Sequence, residues 1–220
     1  MATASGMSWL SGHRSSVTRW VTLTALIVVL GAGSIITLNL RSSAADLALG
    51  AALDAYNSPV AQPGAPVTPG VFATAAERAK AANEQFVAIA SKYGWLSQGV
   101  KAHYFAGITY EQMGQTTQAE TELKAAAGSW NRNLANLAKL ALAALYEQNS
   151  RGTEAIEIYT GLISKPSETV PATSAQLQLA DLYATQGKMD QARKLWAAVK
   201  DADKDGAAGA IAAQALNAKQ

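Results

Sequence analysis

The chain has 220 residues, 49% of them apolar and only 15% charged, and alanine alone fills 47 positions. Charge that sparse, with alanine that frequent, fits a helical protein and excludes a disordered one. There is no cysteine, which removes disulfides, thiol catalysis, cysteine-based zinc sites and lipid attachment through an N-terminal cysteine. Aromatic residues reach 7%, so the core has to close through small side chains and near helix–helix contact. The net charge of +2 is unevenly placed: Arg14, Arg19 and Arg41 precede the first acid, Asp46, and from Asp46 onward 15 basic residues face 16 acidic ones. The larger part is therefore close to neutral. It lacks the clustered basic face a nucleic-acid binder needs to neutralise phosphates.

In chain order, the first element is residues 20–40 (WVTLTALIVVLGAGSIITLNL), 21 residues without a formal charge. At about 1.5 Å per residue they cover roughly 30 Å, the thickness of a bilayer's hydrocarbon core. Arg19 and Arg41 bracket the stretch, and Trp20 stands where an interfacial aromatic anchor belongs. The competing reading is a cleaved signal peptide with Ser43, Ala44 and Ala45 as its cleavage site, but the apolar run exceeds the roughly 7–15 residues of such a peptide. His13, Arg14 and Arg19 lie before the span, so the positive-inside rule puts residues 1–19 in the cytoplasm and everything after the span across the membrane. Residues 31–34 (GAGS) form a small-residue face of the kind that packs against another helix.

A helical stretch at residues 44–57 (AADLALGAALDAYN) follows, and then residues 58–70, which hold four of the six prolines and two glycines and read as an exposed loop. Beyond it the chain repeats. Gly107, Tyr110, Gly114, Ala119, Leu123 and Ala126 recur 36 residues later as Ala143, Tyr146, Ser150, Ala155, Tyr159 and Leu162. They recur again as Ala180, Tyr183, Gly187, Ala192, Trp196 and Val199, while Ala82, Phe86 and Ile89 match only the second half of the pattern. A small residue three before Tyr puts both on one face of a first helix; alanine, a bulky residue and an apolar one do the same on a second. Gly114, Ser150 and Gly187 fall at the turn between the two, where a C-terminal cap belongs. Tyr110, Tyr146 and Tyr183 are expected in the core.

This pattern resembles the tetratricopeptide repeat, with repeats at about 100–133, 136–169 and 173–206 and a half repeat before them. The chain departs from that family's 34-residue period in the loops 128–133 and 165–171, and it lacks the family's tryptophan on the first helix. Residues 44–57 supply the missing first helix of the half repeat, and the Ala-rich residues 207–218 fit a helix covering the last repeat, as solenoids require. The expected fold is all-α: an N-terminal transmembrane helix, then an α-solenoid over 44–220. The order of tail, anchor, helix, loop and repeats resembles the bacterial ancillary Sec translocon subunit family. That resemblance implies an inner-membrane protein facing the periplasm, with the secretion channel and periplasmic chaperones as partners. A second reading from the same fold is an envelope-assembly or cell-division coordinator released by cleavage of its N-terminus.

No catalytic constellation appears, and neither a cofactor nor a small-molecule substrate is expected. His103 is the only histidine outside the tail and reads as structural. The acidic run 201–205 (DADKD) lacks the downstream acid of a calcium loop and reads as a turn between helices. By the pattern of the repeat family, a protein-binding groove is lined by Lys101, Tyr104, Ile108 and Glu111, then Leu137, Leu140, Ala144 and Glu147, then Ser174, Leu177 and Asp181. Members that clamp a terminal carboxylate carry Lys and Asn at several such positions. Here Tyr104, Leu140 and Leu177 stand at one set and Ile108, Ala144 and Asp181 at the other, so the clamp is absent. An apolar groove with a few charges suits an extended or helical hydrophobic segment.

Overall fold

The computed structural model describes residues 14–62, 64 and 68–218. Expectations for the first 13 residues of the tail, and for 63 and 65–67 of the Pro-rich loop, lie outside the described residues. The chain forms two compact units, residues 1–46 and 47–220.

The first helix, α1 (Arg14–Asn57), runs 44 residues without a break. The sequence suggests an anchor and a separate helix, but residues 41–46 (RSSAAD) contain neither Gly nor Pro, and nothing there stops an α-helix. Over its apolar part an 18-residue window reaches a mean hydropathy of 2.1 with none of its residues buried. It is the one described helix long and apolar enough to cross a membrane. Its hydroxyls bond to the helix itself: Thr24 Oγ1 donates to the Trp20 carbonyl at 2.8 Å, Ser34 Oγ to Leu30 at 2.7 Å and Thr37 Oγ1 to Gly33 at 2.9 Å. That removes the cost of placing these groups in a medium without water.

The second unit holds the end of α1 and eight further helices among the described residues: α2 (Ala75–Tyr93), α3 (Ser97–Gln112), α4 (Thr116–Ala127), α5 (Arg132–Gln148), α6 (Gly152–Ser164), α7 (Ala172–Thr185), α8 (Met189–Ala202) and α9 (Ala207–Ala218). Between α1 and α2 the Pro-rich segment is pinched at its base: the Ala61 amide donates to the Phe72 carbonyl at 2.9 Å and the Phe72 amide to Pro59 at 3.0 Å. Thr74 then caps α2 by accepting from the Glu77 amide at 3.1 Å, and Asn131 caps α5 by accepting from Leu134 at 3.2 Å. Asp203, inside the acidic run, has the same task at α9, where its carboxylate accepts from the amides of Ala208 and Gly209 at 3.0 and 3.2 Å.

Helices α3/α4, α5/α6 and α7/α8 pair through one shared turn. Gly114, Ser150 and Gly187 adopt left-handed φ values of 72°, 60° and 74°. In each turn the next residue's amide reaches back to the tyrosine carbonyl: Gln115 to Tyr110 at 2.9 Å, Arg151 to Tyr146 at 2.8 Å, Lys188 to Tyr183 at 2.8 Å. This satisfies carbonyls that a helix end otherwise leaves open. The small and bulky residues of the second helices form the core. Ala119, Leu123, Ala126, Ala155, Tyr159, Leu162, Ala192, Trp196 and Val199 are all at most 1% exposed. At Gly107 a Cβ would stand 2.6 Å from Leu123 Cγ, so α3 and α4 cross where only glycine fits. Ala143 and Ala180, at the same place in the other pairs, are fully buried. Of the three tyrosines expected in the core, Tyr146 is buried while Tyr110 and Tyr183 are half-buried. Their rings pack on the same apolar cluster from its rim.

An ion-pair network joins the first pair to the second. The Glu120 carboxylate on α4 receives Arg151 Nη1 at 2.6 Å, Lys124 Nζ at 2.6 Å and the Tyr146 hydroxyl at 2.9 Å, while Arg151 also holds Glu154 at 2.8 Å and lies 4.0 Å over the Tyr146 ring. Hydrogen bonds from Arg151 and then Lys124 draw the Glu120 pKa from 4.5 down to about 2. A depressed carboxylate stabilises the fold fully above its unfolded value, and the contribution is lost as pH falls from there through its folded value. The Arg151 and Lys124 side chains are 38% and 57% exposed, so solvent screening reduces the effect to on the order of 1 kcal/mol. Glu120→Gln should therefore lower stability by about 1 kcal/mol at pH 7, with the gap to the parent closing between pH 4.5 and about 2. Urea titrations of both proteins at the two ends of that range check it. A gap that persists at the acid end contradicts it.

Candidate protein-binding groove

The first helices of the pairs, α3, α5 and α7, carry the eleven residues expected to line a groove. On α3, Lys101 is exposed and Tyr104, Ile108 and Glu111 are half-buried. On α5, Leu137, Leu140, Ala144 and Glu147 are all half-buried. On α7, Ser174 is half-buried, Asp181 is exposed and Leu177 is only 8% exposed. Leu177 belongs to a cluster with Trp196 of α8 and Ala212 of α9, so the terminal helix takes up the apolar face there. The apolar positions that retain solvent access are Tyr104, Ile108, Leu137, Leu140 and Ala144, and the inner sides of Tyr104, Ile108 and Leu140 rest on the central core.

Polar groups are arranged around these positions. α3 and α5 are tied where Gln148 Nε2 donates to Glu111 Oε1 at 2.8 Å. Burial first, then the neighbouring Tyr56 hydroxyl and Glu111 carboxylate, raise the Tyr104 pKa. Tyr159 lies beneath the α5 positions, and burial followed by the Glu147 and Asp181 carboxylates pushes its hydroxyl up as well. The eleven positions thus hold three carboxylates, Glu111, Glu147 and Asp181, against the single ammonium of Lys101. The last turn of α1 adds Tyr56, which packs against Phe105 of α3 at 5.7 Å between ring centroids and accepts from Gln112 Nε2 at 3.2 Å. Sequence reasoning did not place Tyr56 at this end of the groove, because only the loop 58–74 brings α1 back beside α3.

Other polar positions are structural. His103 Nδ1 lies 2.6 Å from Glu122 Oε2 and ties α3 to α4. Among the described residues no group of three His, Cys, Asp or Glu side chains is placed to hold a metal ion. A separate open depression of about 470 Å³ lies on another face of α5, where Asn136, Lys139 and Leu142 meet Ile158 and Leu162 of α6. Its Asn136 amide is spent on the Lys165 carbonyl at 2.9 Å.

No family model matches this chain, and no curated protein sequence matches it. Among solved structures it is similar to the kinesin-light-chain-like, nearly identical tetratricopeptide-type repeats of Podosopora anserina. The TM-score is 0.53 at 16% identity, covering 64% of this chain and 76% of that one. A single-residue variant of the same protein matches with the same values. At that identity the likeness speaks to fold alone. With the repeated helix pairs and their left-handed turns, it gives the paired helices a tetratricopeptide-like α-solenoid fold.

Proposed function

We propose that the chain is a non-enzymatic scaffold for protein–protein interaction, anchored in a bacterial inner membrane by residues 20–40 and displaying its helix pairs in the periplasm. The observation that carries this reading is the half-exposed strip of Tyr104, Ile108 and Leu140 bordered by Lys101, Glu111, Glu147 and Asp181. A repeat that needed only stability has no use for an apolar strip left open to water, and such strips mark interaction sites. Its occupant is an apolar helical or extended segment with a positive flank, matching the three carboxylates. By resemblance to the ancillary translocon subunits, the partners are the secretion channel and periplasmic chaperones, and the task is assisting secretion or chaperone hand-over.

The helix that continues unbroken through Ser43, Ala44 and Ala45 favours a retained anchor over release by cleavage, since a peptidase needs an extended segment. A photo-crosslinking residue at position 140 should give adducts in intact cells, whereas one at the outward position 160 should not. In chains crosslinked instead through position 108, Leu140→Asp should abolish the adducts with helical content and melting temperature near the parent's. Hydrophobic contact dominates, so raised salt should weaken capture little. Unchanged adducts from the Leu140→Asp chain move the binding surface away from the groove.

A further inference from the structure

Among the described residues the most exposed aromatic side chains of the helix pairs are Trp95, 54% exposed, and Trp130, 83% exposed. They occupy the same place in successive pairs, each directly before the residue that caps a first helix: Leu96 for α3 and Asn131 for α5. Before α7 the same place holds Val170, which is fully buried. The position therefore accepts burial, yet in two pairs a large ring is left outside.

Consecutive helices reverse direction through short turns, so the connections 94–96, 128–131, 165–171 and 203–206 share one edge of the stack. The turns 113–115, 149–151 and 186–188 share the other. The last turn of α1 lies by that other edge: Tyr56 accepts from Gln112 at the end of α3, and Arg78 at the start of α2 reaches the Ser58 carbonyl at 3.4 Å. Ala52 and Leu49, earlier on the same helix, are 0% and 6% exposed, so residues 49–56 of α1 stay packed on this unit as they run back from that edge. Between Arg41, which closes the apolar span, and Leu47 the chain advances six residues. That is about 9 Å as helix and at most about 20 Å extended. The span and the second unit are thus joined by a short connection.

Charge along the tryptophan edge is local: its connections 165–171 and 203–206 hold Glu168, Asp203 and Asp205 beside Lys165 and Lys204, whereas the two that carry tryptophan are flanked by cations alone. Residues 92–96 (KYGWL) and 128–132 (GSWNR) contain Lys92 and Arg132 and no acid. Around the opposite turns, Glu111, Glu147, Glu154 and Asp190 accompany Arg151 and Lys188. Exposed indoles flanked by cations match a lipid headgroup layer, where the ring sits at the boundary and the cation meets phosphate.

We propose that the Trp95–Trp130 edge rests on the bilayer, with both indoles at headgroup depth in an anionic membrane and Lys92 and Arg132 against lipid phosphates. The inference rests on residues 20–40 being a membrane span, and it makes the helix pairs a surface-seated body instead of one swinging free on its anchor.

The test uses the full chain reconstituted in vesicles of phosphatidylcholine and phosphatidylglycerol, with phosphatidylcholine brominated near the headgroup as the quencher. The parent for this test carries Trp9→Phe, which removes the tail indole, and is compared with the same chain bearing Trp95→Phe/Trp130→Phe, which keeps Trp20 as a reporter of the span and leaves the buried Trp196 untouched. The parent should lose about two to three times as much tryptophan emission as the double variant, since three indoles instead of one lie at headgroup depth. The excess should shrink when phosphatidylglycerol is omitted. Equal, non-zero losses overturn the inference while leaving the span in place. No loss in either chain overturns both. If Trp95 and Trp130 are shielded from aqueous iodide but indifferent to brominated lipid, a protein covers this edge, and the lipid assignment is overturned.

Discussion

Replacing Tyr146 with alanine should destabilise the helix pairs by about 3–5 kcal/mol, the range for large-to-small changes in a packed core. Tyr146 is 5% exposed and belongs to the central cluster with Leu142, Ala155 and Tyr159. It also has a polar role, because its hydroxyl donates to Glu120 and its face lies under Arg151. Tyr146→Phe separates the two parts: the ring stays, the hydrogen bond to a carboxylate goes, and the cost should be about 1.5–3 kcal/mol. Urea denaturation of parent, Phe and Ala variants measures both. If alanine costs no more than phenylalanine, the ring is not packed as described.

Gly99→Ala should cost on the order of 3 kcal/mol, although alanine is normally the better helix former. Gly99 lies in the first turn of α3, where a Cβ would stand 2.0 Å from the Tyr93 carbonyl oxygen, 2.3 Å from its carbon and 2.6 Å from Gly94 Cα. These are backbone atoms that cannot rotate aside, and the Tyr93 carbonyl is already held by the Leu96 amide at 2.8 Å. Relief requires α2 and α3 to part. That strains the buried bonds from Asn83 Nδ2 to the Ala106 carbonyl at 3.1 Å and to Thr109 Oγ1 at 2.9 Å. Gly161→Ala is the internal control: it lies within α6 with nothing within 4 Å of its Cβ position, and it should gain about 0.5–1 kcal/mol. Opposite shifts in the urea midpoint are expected. A Gly99→Ala midpoint at or above the parent's removes the close α2–α3 approach.

Much of the fold was readable because the repeat writes it three times. The spacing of Ala119, Leu123 and Ala126, and of their counterparts, names one helix face, and that face is the fully buried one. Gly114 and Gly187 announce a left-handed turn by their chemistry, and Ser150 takes the same conformation by position. What stayed hidden depends on pairs far apart in sequence. Nothing local says that Glu120 waits for Arg151, 31 residues on, and although a helix covering the last repeat was legible, its taking Leu177 out of the groove was not. The tyrosines show the limit from another side: a small residue three positions earlier identifies the face, but how far each ring sits from the rim is set by neighbouring pairs. Trp95 and Trp130 went unread since they lie outside the repeat's positions, in loops where periodicity carries no information.

The helices that pack closely are neighbours in sequence or one removed, from α2 through α9. A chain built this way closes only short loops as it folds, which keeps the entropic barrier low and the rate high. Each pair finds its support in the residues that left the ribosome just before it. The stack can thus assemble in the order of synthesis, with α9 closing over α8 after the pairs before it. Vectorial emergence and native packing run in the same direction, so a half-delivered chain already holds native structure.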